Sequence, residues 1–293
     1  MSSDGSVPVM TAALRDFLDG RWAEVRAETR TLLSDPTFSP AHGLSTEEYR
    51  ARVTDQARAL AKTRATGLGF PVEYGGGGDV GGFVTGFETL AHGDLSLLVK
   101  VGVQWGLFGG AILHLGTEKH HARYLPDMIS MDLPGCFAMT ETGHGSDVQS
   151  VRTTATYDAT TQTFDIHTPD DDARKDYIGN AARDGKMAVV FAQLNAGDEE
   201  HGVHAFIVPI RQDDGSFSEG VRIEDCGHKM GLNGVDNGRI WFDHMRVPLE
   251  AMLDKHAQVL PDGRYVSAIE DRTRRFFTMV GTLVQGRVSV SGA

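Results

Sequence analysis

The sequence predicts an α+β protein: a helical amino-terminal block over residues 1–133, a small β domain over 134–250, and a linker with one opening helix over 251–293. Three observations lead there. Apolar residues recur at three- and four-residue spacing as far as about Ser130, the period shortens towards two beyond Pro134, and helical spacing returns after Val266.

In the first block Ala12, Leu14, Phe17 and Leu18, then Trp22, Val25, Leu32 and Leu33, keep the spacing of an amphipathic helix. Ser45 and Glu48 form a capping-box pattern ahead of a helix through Leu60, and Thr117 is placed to cap another from Glu118 towards Tyr124. The glycine-rich stretch from Tyr74 to Gly82 is not regular helix on this reading, because glycine surrenders too much backbone entropy there. It reads as a flexible connector, with direct ligand contact as the alternative, and it lacks the strand-led GxGxxG spacing of a dinucleotide site. The apolar run from Leu95 to Gly116 is broken by Lys100, Gln104 and His114 and diluted by glycine, so it reads as a buried core helix rather than a membrane span.

In the β domain, Thr154–Tyr157 and Thr163–His167 alternate around the polar loop Asp158–Gln162, as a hairpin does. Strand-like runs follow at Met187–Leu194, Val203–Ile210, Val221–Asp225 and Arg239–Val247, with turns at Asn195–Asp198, Asp213–Ser216 and Asn233–Gly234. Such closely spaced short strands predict a barrel or sandwich. Ile269, Phe276, Phe277, Val280 and Val284 then share a helix face that runs to the end of the sequence without a stop signal, the pattern of an unfinished helical domain.

Composition narrows the function. Forty acidic against 28 basic residues give a net charge of −12, and no basic stripe is present, which argues against a nucleic-acid partner. Cys136 and Cys226 lie far apart without zinc or disulfide spacing, so no metal site is expected and a reducing compartment is the simpler setting. The start, MSSDGSVPVM, has no signal-peptide pattern. The His120–His121 pair reads as a solvated helix face and Asp170–Asp172 as an acidic turn.

The segment with most chemistry is Gly135–Asp147, GCFAMTETGHGSD. A short apolar run ends in a loop where Gly143 and Gly145 let amides approach an anion and Thr140 and Ser146 offer hydroxyls. An ordinary strand-ending turn has the same spacing. His144 has no carboxylate or nucleophile partner in the pattern and reads as a loop contact.

This segment resembles the CFAMTE-x-GHGS-[ND] motif of acyl-CoA oxidases, itself similar to the TEPGAGSD motif of acyl-CoA dehydrogenases. Asp170–Ala182 resembles the family's K-x-[WY]-I-x-N segment, and Asp225–Gly238 with Phe242–Pro248 resembles its later β segment; the likeness extends from about Gly67 to Gly286. It looks closest to the medium-chain acyl-CoA oxidase branch and its bacterial relatives. The resemblance implies an acyl-CoA dehydrogenase-like fold, FAD as cofactor, acyl-CoA as substrate, and O2 or another electron acceptor, in the first step of fatty-acid β-oxidation. It places Met139, Thr140, Gly145, Ser146, Tyr177 and Gly179 at the flavin, with Glu141 structural. Asp176 departs from the K-W-W pattern of the oxidases, while Gly179 matches oxidases and is expected to open space for oxygen beside the flavin. The family's catalytic base is a Glu in a later helical region, so no catalytic residue is expected within this chain. A fragment, a subunit completed by a separate carboxyl-terminal polypeptide, and a non-catalytic flavin- or acyl-CoA-binding module all satisfy that pattern, and homo-oligomerisation is expected. The same likeness implies a cytoplasmic location in a bacterium and permits a peroxisomal one in a eukaryote.

Overall fold

The computed structural model describes residues 6–197 and 199–293. Residues 1–5, where the start was read for a signal peptide, and Asp198, the last residue of the Asn195–Asp198 turn, lie outside them.

Helices α1 (Ser6–Asp19), α2 (Ala23–Leu33), α3 (Thr46–Ala61), α4 (Val80–Leu90), α5 (Leu95–Val101), α6 (Gly110–Leu115) and α7 (Glu118–Ile129) form the first layer. The box at the start of α3 is closed: Glu48 N–H donates to Ser45 Oγ at 3.3 Å and Ser45 N–H donates to the Glu48 carboxylate at 2.8 Å. Along α1, Leu14, Phe17 and Leu18 stay exposed despite their helical spacing.

The glycine-rich stretch is not a slack connector. Asp79 accepts the Gly82 N–H at 2.9 Å and the Trp22 indole N–H at 3.0 Å, which starts α4 with Gly81 and Gly82 inside its first turn. A Cβ on Gly81 would lie 1.9 Å from the Trp22 ring, and one on Gly76 would lie 2.1 Å from the Phe70 carbonyl oxygen. Glycine is required here by close packing, which outweighs its poor helix propensity.

Leu95–Leu115 is long and apolar enough to cross a membrane, yet 67% of its most apolar window is buried within the protein. Between α5 and α6 the backbone widens into a π-helical segment, Gly102–Gly109, that carries Trp105 and Phe108 into the core. The His120–His121 pair is not a solvated face. His120 is 2% exposed; its Nδ1 accepts from Thr117 N–H at 3.1 Å and its Nε2 meets the Glu250 carbonyl at 3.0 Å, so burial pushes its pKa below the usual value.

The β domain contains β1 (Gly135–Ala138), β2 (Thr154–Asp158), β3 (Thr163–His167), β4 (Lys175–Ile178), β5 (Met187–Ala196), β6 (Glu199–Pro209), β7 (Val221–Asp225), β8 (Gly238–Phe242) and β9 (Met245–Pro248). β5 is the spine: β6 pairs antiparallel along one edge, while β1 and β2 lie parallel along the other, and β3 and β9 extend the sheet. β4, β8 and β7 form a second sheet. The run Arg239–Val247 is therefore two strands in two sheets. His244, at φ 52°, breaks it, a left-handed conformation that Asp, Asn and His tolerate better than most residues. The span expected to be linker holds a hairpin, β10 (Ala257–Val259) with β11 (Tyr265–Ser267), before α8 (Arg272–Gly292).

β5 and β6 are buried on both faces. Val189, Phe191, Val203, Ala205 and Ile207 join the helical core, whereas Val190, Ala192, Phe206 and Val208 face the interior between the sheets. That accounts for their nearly unbroken apolar sequence. Phe276 and Met279 of α8 are buried against the helical core, while Phe277 and Val284 are exposed, so the predicted face is only partly covered.

Candidate functional site

Three segments separated in sequence meet at one edge of the β domain. The loop after β1 lies against β4: Asp176 N–H donates to the Thr140 carbonyl at 3.0 Å, and Gly143 N–H donates to the Asp172 carbonyl at 2.8 Å. The third segment closes the group, with Asn237 Nδ2 donating to the Tyr177 carbonyl at 2.8 Å and Cys226 N–H to the Asn237 carbonyl at 3.0 Å.

Glu141 anchors the loop. Its buried carboxylate accepts from Lys175 Nζ at 2.9 Å, Arg152 N–H at 2.7 Å, and Thr153 N–H and Oγ1–H at 2.9 and 2.6 Å. A carboxylate so fully used is unsuited to accepting a substrate proton. Lys175 is fully buried and also donates to the Met139 and Phe191 carbonyls; burial pushes its pKa down to about 8 against the opposing pull of Glu141. The Met139 side chain is itself buried in the helical core.

Beyond this anchor the loop opens to solvent. Thr140 is half-buried, Gly145 and Ser146 are exposed, and a Cβ on Gly145 would meet nothing within 4 Å. Among the described residues neither the Gly145 nor the Ser146 N–H is spent on another group of the chain. Exposed amides at the tip of a braced loop suit an anion. Next to the Thr140 end of the loop Tyr177 is 64% exposed at φ 55°, a backbone conformation that costs a tyrosine energy and is held by Asn237 and by the Tyr177 N–H bond to Asp176 at 2.9 Å.

Asp176 has no place in the motif by spacing, yet it is central here. Its buried carboxylate accepts from Thr142 Oγ1 at 2.8 Å and pairs with Arg239 at 3.3 Å. Gly179 corrects the expectation of open space. Its missing Cβ would lie 2.8 Å from Val103 Cγ2, so the volume vacated by the side chain is filled by the π-helical segment. Asn180, at φ 66°, is fixed from beneath: its Nδ2 donates to the Gly135 carbonyl at 2.8 Å and its Oδ1 accepts from Lys100 Nζ at 2.9 Å. Lys100, fully buried, also pairs with Asp184 at 2.6 Å and Asp236 at 2.8 Å. Burial works against its charge, but Asp236 and Asp184 outweigh it and raise its pKa. Sequence spacing did not reveal the roles of Lys100, Val103 or Asp176; the signals were a lysine inside an otherwise apolar helix and the departure of Asp176 from the oxidase pattern.

Family comparisons agree with this layout. The amino-terminal domain of acyl-CoA dehydrogenases matches residues 13–132, and the acyl-CoA dehydrogenase middle domain matches residues 136–245. The chain belongs to the acyl-CoA dehydrogenase and oxidase family, of which it carries the amino-terminal helical and middle β regions. Its relatives include a putative peroxisomal acyl-coenzyme A oxidase 3.2 of Arabidopsis thaliana, 46% identical over 207 residues, covering 71% of this chain and 31% of that protein. Human peroxisomal acyl-coenzyme A oxidase 3 is 42% identical over 205 residues, covering 69% and 29%. Among solved structures, acyl-CoA oxidase 1 of Yarrowia lipolytica aligns with a TM-score of 0.83 at 30% identity, over 95% of this chain and 39% of that one. Acyl-CoA oxidase-2 of Caenorhabditis elegans, solved with FAD, ascaroside-CoA and ATP, aligns at 0.72 with 26% identity, over 90% and 38%. The chain spans about a third of the length of the curated relatives it matches.

Proposed function

We propose that this chain supplies the flavin-holding part of an FAD-dependent acyl-CoA oxidase acting in fatty-acid β-oxidation. The observation that carries the reading is the convergence of the three motif segments on one edge of the β domain, which carries both free loop amides and an exposed aromatic ring on a braced backbone.

FAD held here would supply the hydride acceptor for α,β-desaturation of an acyl-CoA thioester, with O2 as the onward electron acceptor and H2O2 as its product. Thr140 would hydrogen-bond one edge of the flavin ring, with Met139 adjoining through its backbone. The amides of Gly145 and Ser146 would hold the pyrophosphate, since preorganised N–H groups stabilise negative charge without reorganising. Tyr177 would offer a flat face with a polar tip. Gly179 would serve by admitting Val103 against the backbone two residues after Tyr177. Proton removal from the substrate α-carbon is assigned to no residue of this chain; Glu141, the buried acid that anchors the loop, is held by Lys175 and Thr153.

The preference for O2 rests on the oxidase relatives, because the space argument at Gly179 does not hold. If the parent enzyme is eukaryotic, the peroxisomal names of those relatives support a peroxisomal location; if bacterial, a cytoplasmic one is expected.

The test is FAD titration of the full chain by flavin fluorescence and absorbance, followed by peroxide release with acyl-CoA, with and without a carboxyl-terminal polypeptide from a relative. Saturable FAD binding, weakened about tenfold or more when Ser146→Asp sets a like charge against the pyrophosphate, is expected. Failure of FAD to bind either the chain or the complemented pair would overturn the reading. Desaturation by the chain alone would show that a base had been overlooked.

A further inference from the structure

We infer that the solvent-facing side of the β3–β9 edge is a binding site for one divalent transition-metal ion of the zinc, nickel and copper class. Its ligands are His167, Asp243 and His244. Each offers a nitrogen or carboxylate oxygen, and these three atoms lie within 4.8 Å of one another.

The strand pattern brings them together. Phe164 and Ile166 of β3 point into the core, so Asp165 and His167 face outward. Ile166 pairs with Met245 of β9, which sets the β8–β9 turn, Asp243 and His244, beside the end of β3. Thr168 clamps that junction: its N–H donates to the Phe242 carbonyl at 2.8 Å and its Oγ1 accepts from the Phe242 N–H at 3.0 Å.

One observation points to a ligand rather than to a chance cluster: His167 Nδ1 is shut off from solvent and has no hydrogen-bond partner among the described residues. The His244 ring lies over His167 at 4.1 Å between centroids and 13° between planes, so binding one ion requires it to turn, since imidazole lone pairs lie in the ring planes. The Asp165 carboxylate also faces His244 Nδ1 at 3.0 Å. An Nδ1–H donated there leaves Nε2 as the lone-pair atom, the arrangement by which a carboxylate orients a metal-binding histidine. His244 holds this position at φ 52°.

Two imidazoles and one carboxylate suit a borderline ion; calcium and magnesium prefer all-oxygen shells. Tetrahedral zinc needs neighbouring ligand atoms roughly 3.4 Å apart. His244, with a side chain 63% exposed, is free to swing in and close that distance. Three protein ligands leave further coordination to water. The bound ion would tie the β8–β9 turn to the end of β3.

The test uses the full, tag-free chain stripped with chelator and titrated with ZnCl2 by calorimetry, with CoCl2 as a visible-absorbance probe. One equivalent of saturable zinc binding and a raised melting temperature reversed by chelator are expected. His244→Ala, in an exposed turn, and His167→Ala are each expected to weaken binding by about tenfold or more, with Asp165→Asn weakening it less. His244→Asn repeats the first test with a residue tolerant of positive φ, should the alanine variant fail to fold. Wild-type protein without saturable zinc binding would overturn the inference. So would zinc affinity in the His167 and His244 variants that stays within about tenfold of wild type.

Discussion

Gly179 shows how the physical reason offered for a motif residue can fail. Its lack of a side chain admits Val103, and a Cβ there would sit 2.8 Å from Val103 Cγ2. Gly179→Ala is therefore expected to destabilise the chain by about 1–3 kcal/mol through overpacking. Val103→Ala in the same chain should recover part of the loss, which urea denaturation of the four combinations would measure. Lys100 sets a second expectation: Asp184 is pushed up by burial, but Lys100 outweighs that, and its pKa stands below the ordinary value of 3.8. A depressed folded-state pKa means stability fully present above the unfolded value and lost as pH falls through the folded one. Acid unfolding should accordingly steepen below about pH 4, and Asp184→Asn should flatten that limb. Lys100→Met, which strands Asp184 and Asp236, should cost about 3–5 kcal/mol at neutral pH. What was legible at this scale was local. The glycine and hydroxyl chemistry of Thr140–Ser146 can be read from adjacent residues. The roles of Asp176, Asn180 and Lys100 depend on partners such as Arg239 and Asp236, far away in sequence.

At the level of elements, the hairpin β2–β3 and the box at the start of α3 were readable because each is decided within about ten residues. β8 and β9 were not separated, because only two polar residues, Asp243 and His244, stand between the apolar run Ile240–Phe242 and the alternating Met245 and Val247. Their division reflects which sheet buries each half, a tertiary choice. The π-helical segment was equally hidden, since glycine spacing alone does not say what fills the grooves it leaves. Here Phe108 reaches β1: a Cβ on Gly135 would lie 2.1 Å from its ring. Gly135→Ala should therefore force the first strand away from the helical layer and destabilise the protein by about 3 kcal/mol. It should also disturb Asn180, whose Nδ2 donates to the Gly135 carbonyl. Comparing the FAD affinity of this variant with that of Gly179→Ala would separate a shift of the 177–180 segment from general loosening: both lose stability, and both should lose affinity only if FAD rests on the 177–180 segment.

For the whole molecule, the β region keeps one interior between its sheets and shares a second with the helical region. The shared core contains Phe87, Trp105 and Phe108 from the helices, Phe191 and Ile207 from the sheet, and Phe276 and Met279 from α8. The proposed division at 133/134 is thus a boundary between kinds of secondary structure across a continuous packing. The ion pairs repeat the pattern: Lys100 of α5 is held by Asp184 and Asp236 of the β region, and Arg50 of α3 grips Asp225 of β7. Unfolding the helices would strip one face of β5 and β6 of its cover and leave buried charges without partners, each a large cost against the few kcal/mol that keep such chains folded. The two regions should therefore unfold together. In urea, tryptophan fluorescence, which weighs Trp22 and Trp105 of the helical layer with Trp241 of β8, should give the same midpoint as the far-ultraviolet circular dichroism of the whole chain. Two resolved transitions, with the helical signal lost first and the β signal persisting, would show that the shared core contributes less than the contacts within each layer.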